Sequence, residues 1–375
     1  MKRMIACLLA ACLSLGVSAC SGTLDGASHG RDGTAMYGNG NNEGTGPTSD
    51  GGSGIPSPDP EATAAAEPAT TPNPTPAPTP ENPFRQEPKE IYGYLPLWNC
   101  ACYETLDYGN LTHINLAFVN PDETGTLVCD APDQTVRAIV DKAHAAGVKV
   151  LMSMGGAGNS QYYPALLVDA EPRKAFVDRI AAYVDAHGLD GIDLDIEGDA
   201  DPLFWSCYEP WVAELRTLCD DKGLLLTTAV GNWYADRITK KTYERFDRIG
   251  LMAYDNDIDT SHSTFQYAKD CIGFFSVLRR IPKDKLLLGV PFYGRGYDES
   301  GKLDWNTYIA YRDLLALDPE AGSKDESNGY GYNGIGTLRQ KCDIARDCAG
   351  MMIWELSQDA DGDASLLRLM REALP

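Results

Sequence analysis

Residues 189–200 read "LDGIDLDIEGDA", and the fold follows from how this stretch is read. Asp190, Asp193, Asp195 and Glu197 are interleaved with Ile192, Leu194 and Ile196. Successive residues of a β-strand point to opposite faces, so Asp193, Asp195 and Glu197 project together and the three aliphatic side chains project the other way. In a barrel of parallel strands the aliphatic face packs against surrounding helices and the acids point into the interior. Asp190 is out of phase with the other acids and belongs at the strand entrance.

Seven more apolar runs share this strand character: 91–98, 112–119, 148–156, 224–230, 248–254, 285–292 and 350–356. Helix signals alternate with them. Pro132 opens a helix closed by Gly147, Pro172 opens one ending at His187-Gly188, and Pro202 opens one ending at Lys222-Gly223. Residues 264–279 and 337–347 also read as helices. This alternation predicts an α/β fold, a (β/α)8 TIM barrel, rather than an open doubly wound sheet, and no Gly-x-Gly-x-x-Gly follows the first strand. Chemistry in such a barrel sits at the C-terminal strand ends. Here those ends carry Trp98-Asn99, Phe118-Val119-Asn120, Asp195-Ile196-Glu197, Gly231-Asn232-Trp233, Tyr254-Asp255 and Trp354-Glu355, a polar and aromatic set suited to a sugar.

Composition narrows the partners. The chain has 375 residues, 43% of them hydrophobic, enough for a sizeable core. Its 54 acidic against 32 basic residues give a formal charge of -22, which argues against nucleic acid or an anionic membrane surface and favours a neutral substrate. Residues 1–19 read as an export signal, with Lys2 and Arg3 before an apolar run too short for a comfortable membrane span. Val17-Ser18-Ala19-Cys20 resembles the lipobox of bacterial lipoproteins. The resemblance implies lipidation at Cys20 and a protein anchored to the cell envelope, at the outer membrane or cell surface; a plain secretory signal is the alternative. Residues 20–88, Gly/Asn-rich and then Pro/Thr-rich, read as a tether, and 89–375 as the catalytic barrel. The only membrane contact expected is through the lipid, and a monomer is expected. Eight cysteines follow the signal and Cys20. An even number in an exported chain predicts disulfides, and the cysteine spacings do not suit a metal site, so none is expected.

Three inward carboxylates spaced ~6.5–7 Å apart on one strand cannot all ionise cheaply. A proton shared between Asp193 and Asp195 is expected, with Glu197 at the mouth as general acid. A carboxylate pair suggests glycoside hydrolysis. Because Asp195 and Glu197 leave one strand in one direction, they do not flank a bond from opposite sides. The nucleophile should therefore come from another strand or from the substrate itself.

"DGIDLDIE" (190–197) resembles the Asp-Gly-x-Asp-x-Asp-x-Glu signature of family 18 glycoside hydrolases, the chitinases and endo-β-N-acetylglucosaminidases. "SMGG" (153–156), "LMAYD" (251–255), "MMIWEL" (351–356), "INLAF" and "GVPFYGRGY" resemble that family's other strand motifs, in order, over nearly all of 90–375. The resemblance implies a retaining, substrate-assisted endo-hydrolase of β-1,4 bonds next to N-acetylglucosamine, without a cofactor. It gives Glu197 the role of acid, Asp195 that of orienting the acetamido N–H, Asp193 that of its proton-sharing partner, and Tyr254 that of positioning the carbonyl oxygen. Trp354 would floor the site, with Met252, Asp255, Tyr94, Phe118 and Tyr293 in its walls. The partner implied is an N-acetylglucosamine-containing polysaccharide or glycan: chitin or chito-oligosaccharides first, N-glycan cores second, peptidoglycan third. A non-catalytic chitin-binding lectin on the same barrel is the alternative of another class. Ile196 and Gly198 replace aromatic residues common in the family, which resembles its plant-type and endo-glycosidase branches. Tyr297 to Gly336 is only 40 residues, so little or no α+β insertion is expected between strands seven and eight, leaving an open groove.

Overall fold

The computed structural model describes residues 88–198, 200–256 and 261–374. The expected signal, nearly all of the tether, and Cys20 lie outside these residues. Eight strands form a closed parallel barrel: β1 (Glu90–Pro96), β2 (His113–Ala117), β3 (Lys149–Gly155), β4 (Gly191–Asp195), β5 (Leu225–Val230), β6 (Arg248–Leu251), β7 (Leu286–Pro291) and β8 (Gly350–Trp354). Each strand pairs with its sequence neighbours, and β8 pairs with β1 to close the ring. Seven fall within the predicted runs, and β1 begins one residue before its run. Most stop a few residues short because the last residues of each run leave the ladder to build the mouth.

The helices are placed by their end residues. The helix Pro202–Lys222 starts with proline at its first position, where no amide hydrogen is needed, and the Asp201 carboxylate accepts from the Leu203 amide at 2.6 Å. It ends at Gly223 with φ 70°, as Ala170–His187 ends at Gly188 with φ 65°, a left-handed conformation that glycine adopts cheaply. That second helix begins two residues before the predicted Pro172, because proline is tolerated throughout a first turn. The helix read over 264–279 is α-helical over Phe265–Gly273 and then widens to a π-turn over Phe274–Leu278. Ile192 and Leu194 on the outer face of β4 are wholly buried in one core with Phe176, Val184 and Leu215 of the helices, so the aliphatic half of the opening stretch holds the barrel wall.

Between β7 and β8 the chain does form a small α+β insertion. Tyr293–Tyr297, Leu303–Ala310, Glu326–Ser327 and Tyr330–Gly331 make a four-stranded antiparallel sheet, with a seven-residue helix at Tyr311–Leu317. Polar residues close its turns: the Asp298 carboxylate accepts from the Ser300 and Lys302 amides at 2.8 and 2.9 Å.

The disulfides expected from the cysteine count are absent among the described residues; all eight cysteines are free thiols. Cys207, Cys219, Cys271, Cys342 and Cys348 are buried and act as small apolar side chains in the helix packing. Burial pushes the Cys219, Cys271 and Cys342 thiols up to about 12. Among the described residues no helix is long and apolar enough to cross a membrane.

Ring closure depends on a bare backbone at Gly350, the register partner of Glu90, because a Cβ there would overlap the Glu90 main chain. Gly350→Ala is expected to cost about 2–3 kcal/mol. Urea unfolding checks this, and an unchanged midpoint would contradict the close approach at the β8–β1 seam.

Candidate active site

A cavity of about 760 Å³ opens at the C-terminal ends of the strands. Seven of the eight strands contribute to it at or just beyond their ends, all but β7. Trp98 follows β1, Phe118 follows β2, and Ala157 and Asn159 follow β3. Asp195 ends β4 and Glu197 follows it, Asn232 and Trp233 follow β5, and Met252, Tyr254, Asp255 and Asn256 come from the segment after β6. Arg295 reaches in from the insertion sheet, Tyr267 from the helix after β6, and Trp354 ends β8.

Below the cavity lies a polar layer inside the barrel. Asp193 is in register with Ser153 on β3 and Thr227 on β5, so all three side chains point inward at one level. Its carboxylate accepts hydrogen bonds from the hydroxyls of Tyr94 (2.7 Å), Ser153 (2.8 Å) and Thr227 (2.5 Å). Burial pushes the Asp193 carboxyl up, and the three hydroxyls pull it partly back. Asp195, one inward position higher, lacks such donors. Burial first, and then the charges of Glu197 and Asp193, hold its carboxyl well above the usual range. Its Oδ1 is buried with no hydrogen-bond partner. Asp195 is therefore raised further than Asp193, whose ionised form the three hydroxyls favour.

Two glycines let the strand ends meet. A Cβ on Gly155 would overlap the Asp195 carbonyl, and one on Gly156 would overlap the Phe118 ring; both have positive φ, 112° and 85°. The Gly156 amide donates to the Asp195 carbonyl at 2.8 Å, fixing β3 against the end of β4.

Across the cavity, Asp255 is held in place by its neighbours. Arg295 Nε and a second guanidinium nitrogen reach its two oxygens at 3.0 and 2.9 Å, and His262 Nδ1 lies 3.1 Å from Oδ1. Burial alone would raise this carboxyl, but the hydrogen bonds and charge of His262 and Arg295 outweigh it and bring it down to about 2. Tyr254 packs edge-on to Tyr293, with ring centroids 6.4 Å apart. Burial raises its hydroxyl well above the usual value, so it stays a donor. Trp354 lines the cavity, with Phe118 at 5.8 Å, Tyr94 at 5.4 Å, and Trp98 a further 6.1 Å beyond Phe118.

The structure thus gathers Asp195, Glu197, Tyr254, Met252, Asp255, Phe118 and Trp354 around one cavity. Asp193 and Tyr94 lie beneath it, so Tyr94 supports Asp193 instead of forming a wall. Tyr293 stands behind Tyr254 and faces an adjoining recess of about 540 Å³. Ile196 and Gly198 do not line the cavity. Ile196 is buried, and Tyr234 lies 3.0 Å from where a Cβ on Gly198 would be, filling the space of a larger residue. Asp190 sits at the opposite end of β4, where Oδ2 accepts from the Val150 amide at 2.7 Å and meets His144 Nε2 at 2.8 Å. Trp98, Asn232 and Trp233 were legible only as strand-end residues. Arg295 belongs to "GVPFYGRGY", and its signal in the sequence is a guanidinium that can answer Asp255.

A parallel barrel with a carboxylate ladder and an aromatic floor at its C-terminal mouth has the build of a glycoside hydrolase. Residues 90–359 match the model of Glycosyl hydrolases family 18, and the chain belongs to that family. Among solved structures it is similar to the chitinase ChiB of Flavobacterium johnsoniae, at 30% identity and TM-score 0.69, covering 77% of this chain and 94% of that one. A chitinase from Bacteroides thetaiotaomicron is similar at 28% identity and TM-score 0.68, covering 77% and 97%. The Class V chitinase CHIT5 of Lotus japonicus is 25% identical over 74% of this chain and 85% of its own length. The match to "Probable chitinase 10" of Drosophila melanogaster, 28% identical, spans 40% of this chain and 8% of that protein.

The raised Asp195 carboxyl carries a sign. Above pH ~4 an unfolded Asp195 loses its proton while the folded one keeps it, so this group lowers stability as pH rises toward its folded pKa. Asp195→Asn removes that loss. Its Tm is expected to exceed the parent's by on the order of 2–4 °C at pH 8 and by little at pH 4. Calorimetry at the two pH values decides it, and an equal shift at both would refute the raised carboxyl.

Proposed function

We propose that the protein is a retaining, substrate-assisted endo-hydrolase of β-1,4 bonds next to N-acetylglucosamine, with chitin or chito-oligosaccharides as substrate. The observation that carries the reading is the buried, unpartnered Oδ1 of Asp195 on the cavity wall, beside Glu197 and above the hydroxyl-bound Asp193. A buried oxygen without a partner favours a ligand that completes it, and an acetamido N–H does so.

The sugar at the cleavage point lies on Trp354. Glu197 gives its proton to the glycosidic oxygen as the bond to the anomeric carbon breaks. The substrate's own acetamido oxygen attacks that carbon and forms a cyclic oxazolinium. Asp195 accepts the acetamido N–H at its buried Oδ1 and so orients the group, and the Tyr254 hydroxyl donates to the carbonyl oxygen and aligns it. Glu197, now a carboxylate, takes a proton from water as it opens the ring, and two displacements leave the configuration retained. A protein nucleophile has poor support. The cavity's other carboxylate, Asp255, has both oxygens engaged by Arg295 and one by His262. The similarity to chitinases from Flavobacterium johnsoniae and Bacteroides thetaiotaomicron favours chitin over N-glycan cores.

Glu197→Gln is expected to lower kcat on chito-oligosaccharides by ~10³-fold with KM little changed. An unchanged rate would sink the assignment of the acid. Release of intact glycan from a high-mannose glycoprotein, with chito-oligomers left uncut, would move the substrate to N-glycan cores. The chain is further proposed to be exported and held at the cell envelope by lipid on Cys20, from the signal and lipobox-like residues 1–20. Labelled palmitate should enter the parent and not Cys20→Ser, and equal labelling would overturn this.

A further inference from the structure

Trp98 and Trp233 line the cavity yet are each about half exposed, 54% and 53%, and the reaction above uses neither. They stand on opposite sides of the mouth, since β1 and β5 are four strands apart in a ring of eight. Trp98 extends the aromatic series that begins at the Trp354 floor. Trp233 belongs to the other wall. β5 is the direct neighbour of β4, and Tyr234, in ring contact with Trp233 at 5.6 Å, abuts Gly198 immediately after Glu197.

Trp233 is also firmly seated. A Cβ on Gly231 would overlap the six-membered ring of the indole, so the ring is folded down on bare backbone. Between the two residues, Asn232 Oδ1 accepts from the Tyr267 hydroxyl at 3.1 Å. The result is an apolar face with a polar amide beside it, the combination that a sugar ring, with a C–H face and an equatorial rim of polar groups, packs against.

Glu197 must stand beside the leaving oxygen, so the leaving half of the chain extends from the Trp354 floor past Glu197 toward β5. We propose that Trp233 is the stacking platform for the first N-acetylhexosamine on the leaving-group side of the cleaved bond, and that it sets the enzyme's need for a sugar there. This rests on the reading of Glu197 as the acid of an N-acetylglucosamine hydrolase. A chain engaged by Trp98 on one side and Trp233 on the other is cut internally.

The test compares two substrates of the full-length protein: chitopentaose, which places sugars on both sides of the cut, and chitobiosyl fluoride, whose leaving group is a single atom. Trp233→Ala is expected to lower kcat/KM on chitopentaose by about tenfold and to leave the fluoride unchanged. Trp233→Phe should restore most of the loss, and Gly231→Ala, whose methyl displaces the indole, should reproduce it. An equal loss on both substrates would make Trp233 a mere support of Glu197 and overturn the proposal. No loss on chitopentaose, with the parent active, would overturn it while leaving the hydrolase reading intact. If the parent cleaves neither substrate, the hydrolase reading falls and this proposal falls with it.

Discussion

The structure is organised around a carboxylate buried in the middle of a protein. Asp193 is almost entirely out of water, and an ion there is tolerated only because three hydroxyls from β1, β3 and β5 converge on it. Those hydroxyls reach it because the parallel register puts Ser153 and Thr227 level with it and the closed ring brings Tyr94 across the interior. The charge so stabilised acts in turn on Asp195, which has burial and charge on either side and no hydroxyls of its own, and so keeps a proton. The barrel thus sets unequal proton affinities on two identical side chains two residues apart.

A second constraint shapes the open side of the site. Asp255 follows β6 and Arg295 lies on the insertion sheet, and their ion pair, braced by His262, joins the two segments across the cavity wall. The Arg295 guanidinium also lies 5.2 Å from the Tyr293 ring centroid, behind Tyr254. The insertion, small as it is, therefore positions cavity groups. The guanidinium also keeps Asp255 an ion whose lone pairs are committed.

The strand-alternation reading carried far. It assigned β4, separated Asp190 from the inward acids, and located the mouth by the residues at the strand ends. It fell short where the signal is not periodic. The insertion sheet is made of short strands joined by turn-forming residues, and they pair only where the chain after β7 doubles back so that Leu303–Ala310 lies along Tyr293–Tyr297. The cysteines gave a compartment argument and no geometry. Eight thiols in an exported chain predict bridges, whereas the fold places Cys207, Cys219, Cys271 and Cys342 on buried helix faces where each fills apolar volume.

The sequence by itself determined the barrel, the order of its strands, and which three acids share a face, because all of these follow from local periodicity and from motifs contiguous along the chain. Tertiary structure alone decided which acid keeps the proton and whether an aromatic side chain lines the cavity or supports it. It also decided what neighbours Ile196 and Gly198 meet: one is buried and the other is covered by Tyr234. The physical reason is range. Alternation is a property of adjacent residues, while desolvation, hydroxyl donors and ring contacts come from strands 30 to 100 residues apart that meet only when the ring closes.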